Sequence, residues 1–493
     1  MDDLQTRKKN LIFFPLGTIG RDMIYNMWTN FIMLYILYTR NLTTAQLAAV
    51  TAIMVAARVF DGLNDPIMGN IIERTRTKWG KFKPWLLIGI VSTSVVVYLA
   101  FNTDLQGWNF IWFFGVMYFM YSITYTMHDI SYWGMVPALS SDANARNQFT
   151  SRATLFAGIG GTLASILIPM LTTGENALGG SAKIAYGRIA LVICVLAPLF
   201  LCFTLFGVHE RRDDMKEAPP PVSFKKIIKT IGGNDQLMWA ALIFLIREIG
   251  NDLVTSGVGS NYIYFEFGYE GGLYSTFTTV GMMATALLMV FYPMISRHIG
   301  RKPLTKILLG ISVAGYAMQL GAGLLLPSTM VKFWIITFGY MFANFGQYGF
   351  YLIMMISIMN TVEYNELRYG TRDEGIITSL RPFLTKLGSA LVVVIASASY
   401  IIFHVTDYTN QISDIEQAAE MGTITAEAKT AQISQVLSGV TGSQTTGLLL
   451  VMTLIPLALM IISVVLYQKL YKLDEPEYDR ICAELEAKKA AKA

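Results

Sequence analysis

The chain has 493 residues, of which 53% are hydrophobic and only 15% charged, and its formal net charge is +4. This composition, with a mean hydropathy of +0.46, excludes an ordinary soluble multidomain enzyme, and so small a charge does not imply nucleic acid as a partner. Apolar runs of membrane-crossing length recur along the chain, which therefore reads as a polytopic helical membrane protein.

In chain order, "MDDLQTRKKN" runs into a long helix without a small-residue cleavage site, as expected of a retained cytoplasmic end. Twelve spans follow, at 11–38, 44–72, 84–101, 108–138, 152–173, 186–208, 236–266, 273–296, 304–326, 331–362, 376–404 and 444–468. Several exceed the roughly 20 residues that cross a bilayer, which implies tilt or extension beyond it. The second connection holds Arg74, Arg76, Lys78, Lys81 and Lys83; the middle one holds Arg211, Arg212, Lys216, Lys225, Lys226 and Lys229. The connections "NTDLQGWN" and "EFGYEGG" hold no Lys or Arg, so both termini are expected in the cytoplasm, with the protein in the cell's inner (plasma) membrane. The eleventh connection, 405–443, is then extracellular, with an amphipathic helix over "ISDIEQAAEMG".

The segment "HERRDDMKEAPPPVSFKK" separates two halves that resemble each other. "TIGRDMIYNMWTNFIMLYI" opens the first and "FLIREIGNDLVTSGVGSNYIYF" the second, each with an Arg–acid pair followed by Asn and Tyr; basic loops follow the second and eighth spans. The expected fold is all-α, with twelve transmembrane helices in two pseudo-symmetric six-helix bundles around a cavity, as in major-facilitator carriers. The expected division is a bundle at 1–208, a cytoplasmic loop at 209–235, a bundle at 236–468 and a cytoplasmic tail at 469–493. Cys194 and Cys202 share one apolar run and Cys482 lies in the tail, with neither metal spacing nor a disulfide framework.

Polar and ionisable side chains inside spans are costly and mark function or pairing. The first span carries Asp22, Asn26, Thr29 and Met33 on one stripe, with Arg21 at its start. The second stacks Arg58, Asp61 and Asp65, with Asn64 nearby; the fourth repeats the pattern with Ser122, Thr126, Asp129 and Trp133; the eleventh supplies Arg381 and Lys386. Plainer readings exist: Arg58–Asp61 as a structural ion pair, Asp65 as an anchor for the basic loop, Arg21 and Asp22 neutralising each other, His128 as packing. As a cluster, Asp61, Asn64, Asp65 and Thr126 offer only hard oxygen ligands, which suit an alkali cation or a proton rather than zinc or copper. Asp22, Asp129, Arg152 and Lys386 with Trp133 suit a sugar, because charged groups grip hydroxyls and an aromatic face covers the ring.

"DGLNDPIMGNIIERTRTKWGKFKPW", from Asp61 to Trp85, resembles the signature of the glycoside–pentoside–hexuronide:cation symporters. "GRDMIYN", "TMHDISYWGMVPALS" and "NTVEYNELRYGTRDEGIITSLRPFLTK" are similar to further stretches of that family, so that the resemblance covers nearly all twelve spans. It implies a secondary transporter that couples a sugar, glycoside or uronide to sodium or protons by alternating access. By resemblance Asp61, Asn64, Asp65 and Thr126 form the cation site, while Arg21, Asp22, Asp129, Trp133, Arg152 and Lys386 hold the sugar. Tyr351 aligns with an aromatic sugar-binding position that is tryptophan in some members. Arg58, Asn26 and Arg381 are accessory candidates, Arg381 either favouring an anionic sugar or pairing with Glu374.

The basic segment after the second span is expected to form inter-helix salt bridges, with Arg74 or Arg76 meeting acids such as Asp142, Glu363 or Glu366. No cofactor is expected beyond the coupling ion, and the expected partners are the sugar, the cation and membrane lipid. A lysolipid symporter of the same superfamily would need a wide apolar cleft, and an uncoupled uniporter would not need Asp61 and Asp65 together. No nucleophile or metal constellation suggests an enzyme.

Overall fold

The structure is a computed structural model that describes residues 4–140, 142–210 and 224–490. Arg211, Arg212 and Lys216 of the middle basic segment lie outside the described residues. The described chain is helical, with no named strand among its elements: α1 (Leu4–Thr39), α2 (Thr44–Arg74), α3 (Lys83–Phe101), α4 (Gly107–Leu139), α5 (Ala143–Thr172) and α6 (Ala182–Gly207) come first. They are followed by α7 (Phe224–Gly233), α8 (Asp235–Asp252), α9 (Gly259–Phe267), α10 (Gly271–His298), α11 (Arg301–Leu325) and α12 (Met330–Tyr369). The chain closes with α13 (Glu374–Ile402), α14 (Val405–Glu420), α15 (Ala426–Ser438), α16 (Gly442–Leu470) and α17 (Glu475–Ala490).

Among the described residues, ten helices are long and apolar enough to cross a membrane. Helix α1 and the α8–α9 segment complete the twelve spans. The latter, expected as one continuous helix, is interrupted by a π-turn at Val254–Val258, where Gly257 takes φ +111° and accepts hydrogen bonds from the side chains of Ser260 and Asn261. Helix starts follow local chemistry: Thr43 and Gln46 form a capping box for α2, while Asp142, Ser181 and Asn234 cap α5, α6 and α8. Helix α12 ends at Gly370 in the left-handed region.

The chain packs as two compact units. The first comprises Met1–Pro220, Ile263–Thr276 and Tyr400–Thr441; the second comprises Pro221–Tyr262, Phe277–Ser399 and Gly442–Ala493. Within the first unit α1 is the central element and lies so close to its neighbours that only glycine fits at two crossings. A Cβ on Gly20 would fall 2.4 Å from Ala197 Cα, and one on Gly160 would fall 2.2 Å from the Ile19 carbonyl oxygen. Gly89 of α3 is pressed in the same way against the backbone of His128, a fully buried residue whose Nδ1 lies 3.1 Å from the Leu86 carbonyl. His128 is thus a packing residue.

The 405–443 connection forms two helices rather than one, and both pack on the first unit. Asn41 donates to Asp414 (2.5 Å), Asn410 pairs with both backbone groups of Leu42, and Lys183 of α6 bridges Asp104 and Glu420. Glu416 pairs with Lys429 at 3.0 Å and accepts from the Ala182 amide at the start of α6. Burial pushes the Glu416 carboxyl up, against the pull of Lys429 and that amide. In the second unit α11 and α12 pack through Gly315, Gly339 and Gly346, and the tail helix α17 is held by Glu475 on Arg301 at 2.9 Å.

The signature loop after α2 is built from backbone capping. Gly80 takes φ +107°, the Lys81 amide donates to Glu210, and Lys83 Nζ donates to the Leu205 and Val208 carbonyls at the end of α6. The expected acids are engaged elsewhere: Asp142 with Arg7, and Glu363 and Glu366 with Arg372. Arg76 donates instead to the carbonyls of Glu73 and Thr75. Arg76 is exposed, and acceptors on its own turn can be reached without ordering a longer stretch of side chain.

The helix crossing at Ile19 gives a test. Gly160→Leu is expected to destabilise the protein by at least about 1–3 kcal/mol, since the backbone of α1 cannot yield. Gly161→Ala, whose added Cβ would lie 3.9 Å from Asn26 Nδ2, should leave thermal melting in detergent nearly unchanged.

Candidate functional site

Helices α2 and α4 bring together the oxygen ligands named from the sequence. The Ser122 hydroxyl donates to Asp61 Oδ1, and the Thr126 hydroxyl donates to Asp65 Oδ1 at 3.3 Å. Both pairs are separated by 61 residues. A step of one turn on α2 therefore matches a step of one turn on α4, so the helices run in the same direction and in register along this face. Asp61, Asn64, Ser122 and Thr126 are all buried, with exposures of 8% or less. The Asn64 Nδ2 atom is buried without a hydrogen-bond partner. Pro66 follows within the helix and has no N–H, which leaves the Gly62 carbonyl without its intrahelical donor beside the two carboxylates. Arg58, one turn before Asp61, lies near Tyr118 and Asp61.

A second cluster begins three residues further along α4, a rise of about 4.5 Å. The buried Arg21 guanidinium donates to Asp22 Oδ2 at 2.7–2.8 Å and to Asp129 Oδ1 at 3.0 Å. Its Cζ sits 5.1 Å from the Trp133 ring centroid and 5.3 Å from that of Tyr132. Tyr132 is fixed in turn, stacked on Phe14 and donating to its carbonyl. The Asp129 side chain stays 38% exposed while that of Arg21 is 5% exposed, so the carboxylate is presented and the cation is sheathed. Asn26 donates to Ser165 of α5, and its own amide oxygen is buried without a partner.

Arg152 stands apart from this cluster: it is exposed and donates to the Leu11 carbonyl of α1 at 3.2 Å. In the second unit, half-buried Tyr351 lies against Tyr348 and Phe244, with the Arg247 guanidinium 5.0 Å from its ring centroid. Lys386 is half-buried on α13. Arg381 lies 3.1 Å from Met355 Sδ, while Glu374 is paired with Arg372 rather than with Arg381.

Three polar residues join these clusters without having been singled out as ligands. Ser122 was readable, four residues before Thr126 on one stripe. Arg247 and Glu248, paired at 2.5 Å, were visible only as the second half's repeat of Arg21–Asp22.

Residues 13–475 match the family model described as MFS/sugar transport protein. A lactose permease of Lactobacillus helveticus is 26% identical over 500 residues, covering 97% of this chain and 72% of its own length. A raffinose carrier protein of Pediococcus pentosaceus is 26% identical over 402 residues, and the chain spans only 60% of that relative's length. Among solved structures, a D-xylose–proton symporter superposes with a TM-score of 0.59 at 11% identity, covering 84% of this chain and 97% of that one, which bears on the fold alone. The chain is a multi-pass membrane protein with the major-facilitator fold, and it belongs to the MFS/sugar transport protein family, within the glycoside–pentoside–hexuronide branch that its second-helix signature resembles.

Proposed function

We propose that the protein is a cation-coupled symporter of a sugar or glycoside, working by alternating access with both termini in the cytoplasm. The observation that carries this reading is that α4 holds both clusters on successive turns: Ser122 and Thr126 engage the α2 carboxylates, and Asp129 and Trp133 engage Arg21. In this reading the cation takes oxygens from Asp61, Asn64, Asp65 and Thr126. It offsets the repulsion between buried Asp61 and half-buried Asp65 and so fixes α2 against α4. With α4 fixed, Asp129 and Trp133 are set for the sugar, a coupling of typically about 1–3 kcal/mol that acts equally in both directions.

Asp22 and Asp129 accept hydrogen bonds from sugar hydroxyls, Arg21 orients them, and Trp133 covers the ring's apolar face. Tyr351, Lys386 and Arg152 are assigned to sugar by resemblance, with Asn26 and Arg381 as accessory groups. The lactose and raffinose relatives support a glycoside as the substrate class. Asn64 and Thr126 favour sodium, since a proton needs only a carboxylate, whereas a metal ion needs several oxygens around it. The nearby Arg58 favours the proton instead, by neutralising one carboxylate.

Counterflow in vesicles with galactosides, xylosides and glucuronides, with and without sodium, tests the function. Uptake of none of them would overturn it. Asp65→Cys should abolish cation-driven accumulation while exchange survives; unchanged concentrative uptake would reassign the cation site. Asn64→Ala should remove sodium stimulation at fixed pH, and a wild type indifferent to sodium from neutral to mildly alkaline pH would replace sodium by the proton. Asp129→Ala should weaken sugar binding at least tenfold, the loss of about 1.4 kcal/mol or more expected for a charged hydrogen bond. Melting should shift little, because Arg21 keeps Asp22. Normal affinity in this variant would move the sugar elsewhere.

A further inference from the structure

The second unit contains a buried ion pair that the proposed transport cycle does not yet use. Arg247 and Glu248 on α8 are 1% and 6% exposed, and Arg247 Nη1 lies 2.5 Å from Glu248 Oε2. Arg247 Nε also donates to the Gln347 carbonyl of α12 at 3.3 Å, and its guanidinium lies 5.0 Å from the centre of the Tyr351 ring, one turn further along the same helix. The first unit carries a similar arrangement, with the Asp129 carboxylate in place of the Gln347 carbonyl. There an Arg on the opening helix, followed directly by an acid, lies 5.1 Å from the centre of an aromatic ring on the fourth helix.

Stability alone does not account for such a pair. Desolvating two charges inside a membrane bundle costs as much as their attraction returns, and apolar replacements of similar volume are often neutral or stabilising. The surroundings are also incompletely satisfied: Gln347 Oε1 and both amide atoms of Gln319 are buried without hydrogen-bond partners. What the pair does achieve is orientation. Glu248 fixes the guanidinium, and the guanidinium holds one face of the Tyr351 ring.

We infer that Arg247 and Glu248 are positioning residues that lock Tyr351 as a stacking platform for the sugar. The inference rests on the assignment of Tyr351 to sugar in the reading above. Its packing supports the geometry: Gly388 of α13 faces Glu248 so closely that an added Cβ would lie 3.1 Å from Glu248 Cγ.

The test is a double-mutant cycle on the purified full-length chain, titrating lactose, raffinose and p-nitrophenyl-β-glucuronide by calorimetry. Arg247→Lys keeps the charge but loses the planar group, and it should weaken binding of the accepted glycoside roughly 2- to 30-fold, the range of a cation–π contact. In a Tyr351→Ala background the same change should cost less than about twofold, because coupled residues are not additive. The double replacement Arg247→Met with Glu248→Leu should melt no lower than wild type and still bind sugar weakly. Equal losses in both backgrounds, or full affinity in the stable double replacement, would overturn the inference and leave a structural pair. A wild type that binds none of the three sugars, or Tyr351→Ala with unchanged affinity, would overturn the underlying sugar reading, and this inference with it.

Discussion

The Arg21 guanidinium, buried between two aspartates, is the interaction on which the first unit's polar interior depends. A cation inside a membrane-spanning helix persists only if paired and hydrogen-bonded, because hydrocarbon offers no solvation to replace water. Arg21 meets that condition with acids from two helices, Asp22 of α1 and Asp129 of α4, and it lies against the rings of Tyr132 and Trp133. One side chain thereby ties α1 to α4, keeps its own charge buried and leaves Asp129 partly exposed. Removing it would leave two carboxylates facing each other with no counter-charge.

Helix α4 then inherits a second duty. Its face toward α2 offers hydroxyls to Asp61 and Asp65 in a matched one-turn register. Such matching requires the two helices to run in the same direction, which places them as the second and fourth crossings of an up-and-down bundle. In the proposed reading, a rigid helix with two polar clusters three residues apart lets one ligand sense another, with no need for a longer pathway.

The long connection after α13 shows how chain order and packing part company. Helices α14 and α15 join α13 and α16 of the second unit, yet Glu416 and Glu420 fasten them to α6 of the first, and Asp414 to Asn41 just after α1. The junction with α13 is marked by His404, the one non-glycine residue with positive φ among the described residues. Glu416 serves here as a cap: a buried carboxylate at the amide end of α6 satisfies a donor that the helix cannot satisfy itself.

Much was legible in the sequence because lipid restricts what a chain can do. Apolar runs of sufficient length have no alternative to helix, so twelve spans and the membrane class followed from hydropathy. Charges inside those spans had to matter, so Arg21, Asp22, Asp61, Asp65 and Asp129 stood out one by one. Their partners were another matter. That Ser122 donates to Asp61, that Arg21 also takes Asp129, 108 residues away, and that Arg152 turns to the Leu11 carbonyl are settled by which helices lie side by side and in what register. Periodicity along one helix cannot specify that. The π-turn at Val254–Val258 and the fastening of α14–α15 were illegible for the same reason. Each depends on hydrogen bonds whose donor and acceptor are chosen by packing, whereas burial of an apolar run needs no particular partner.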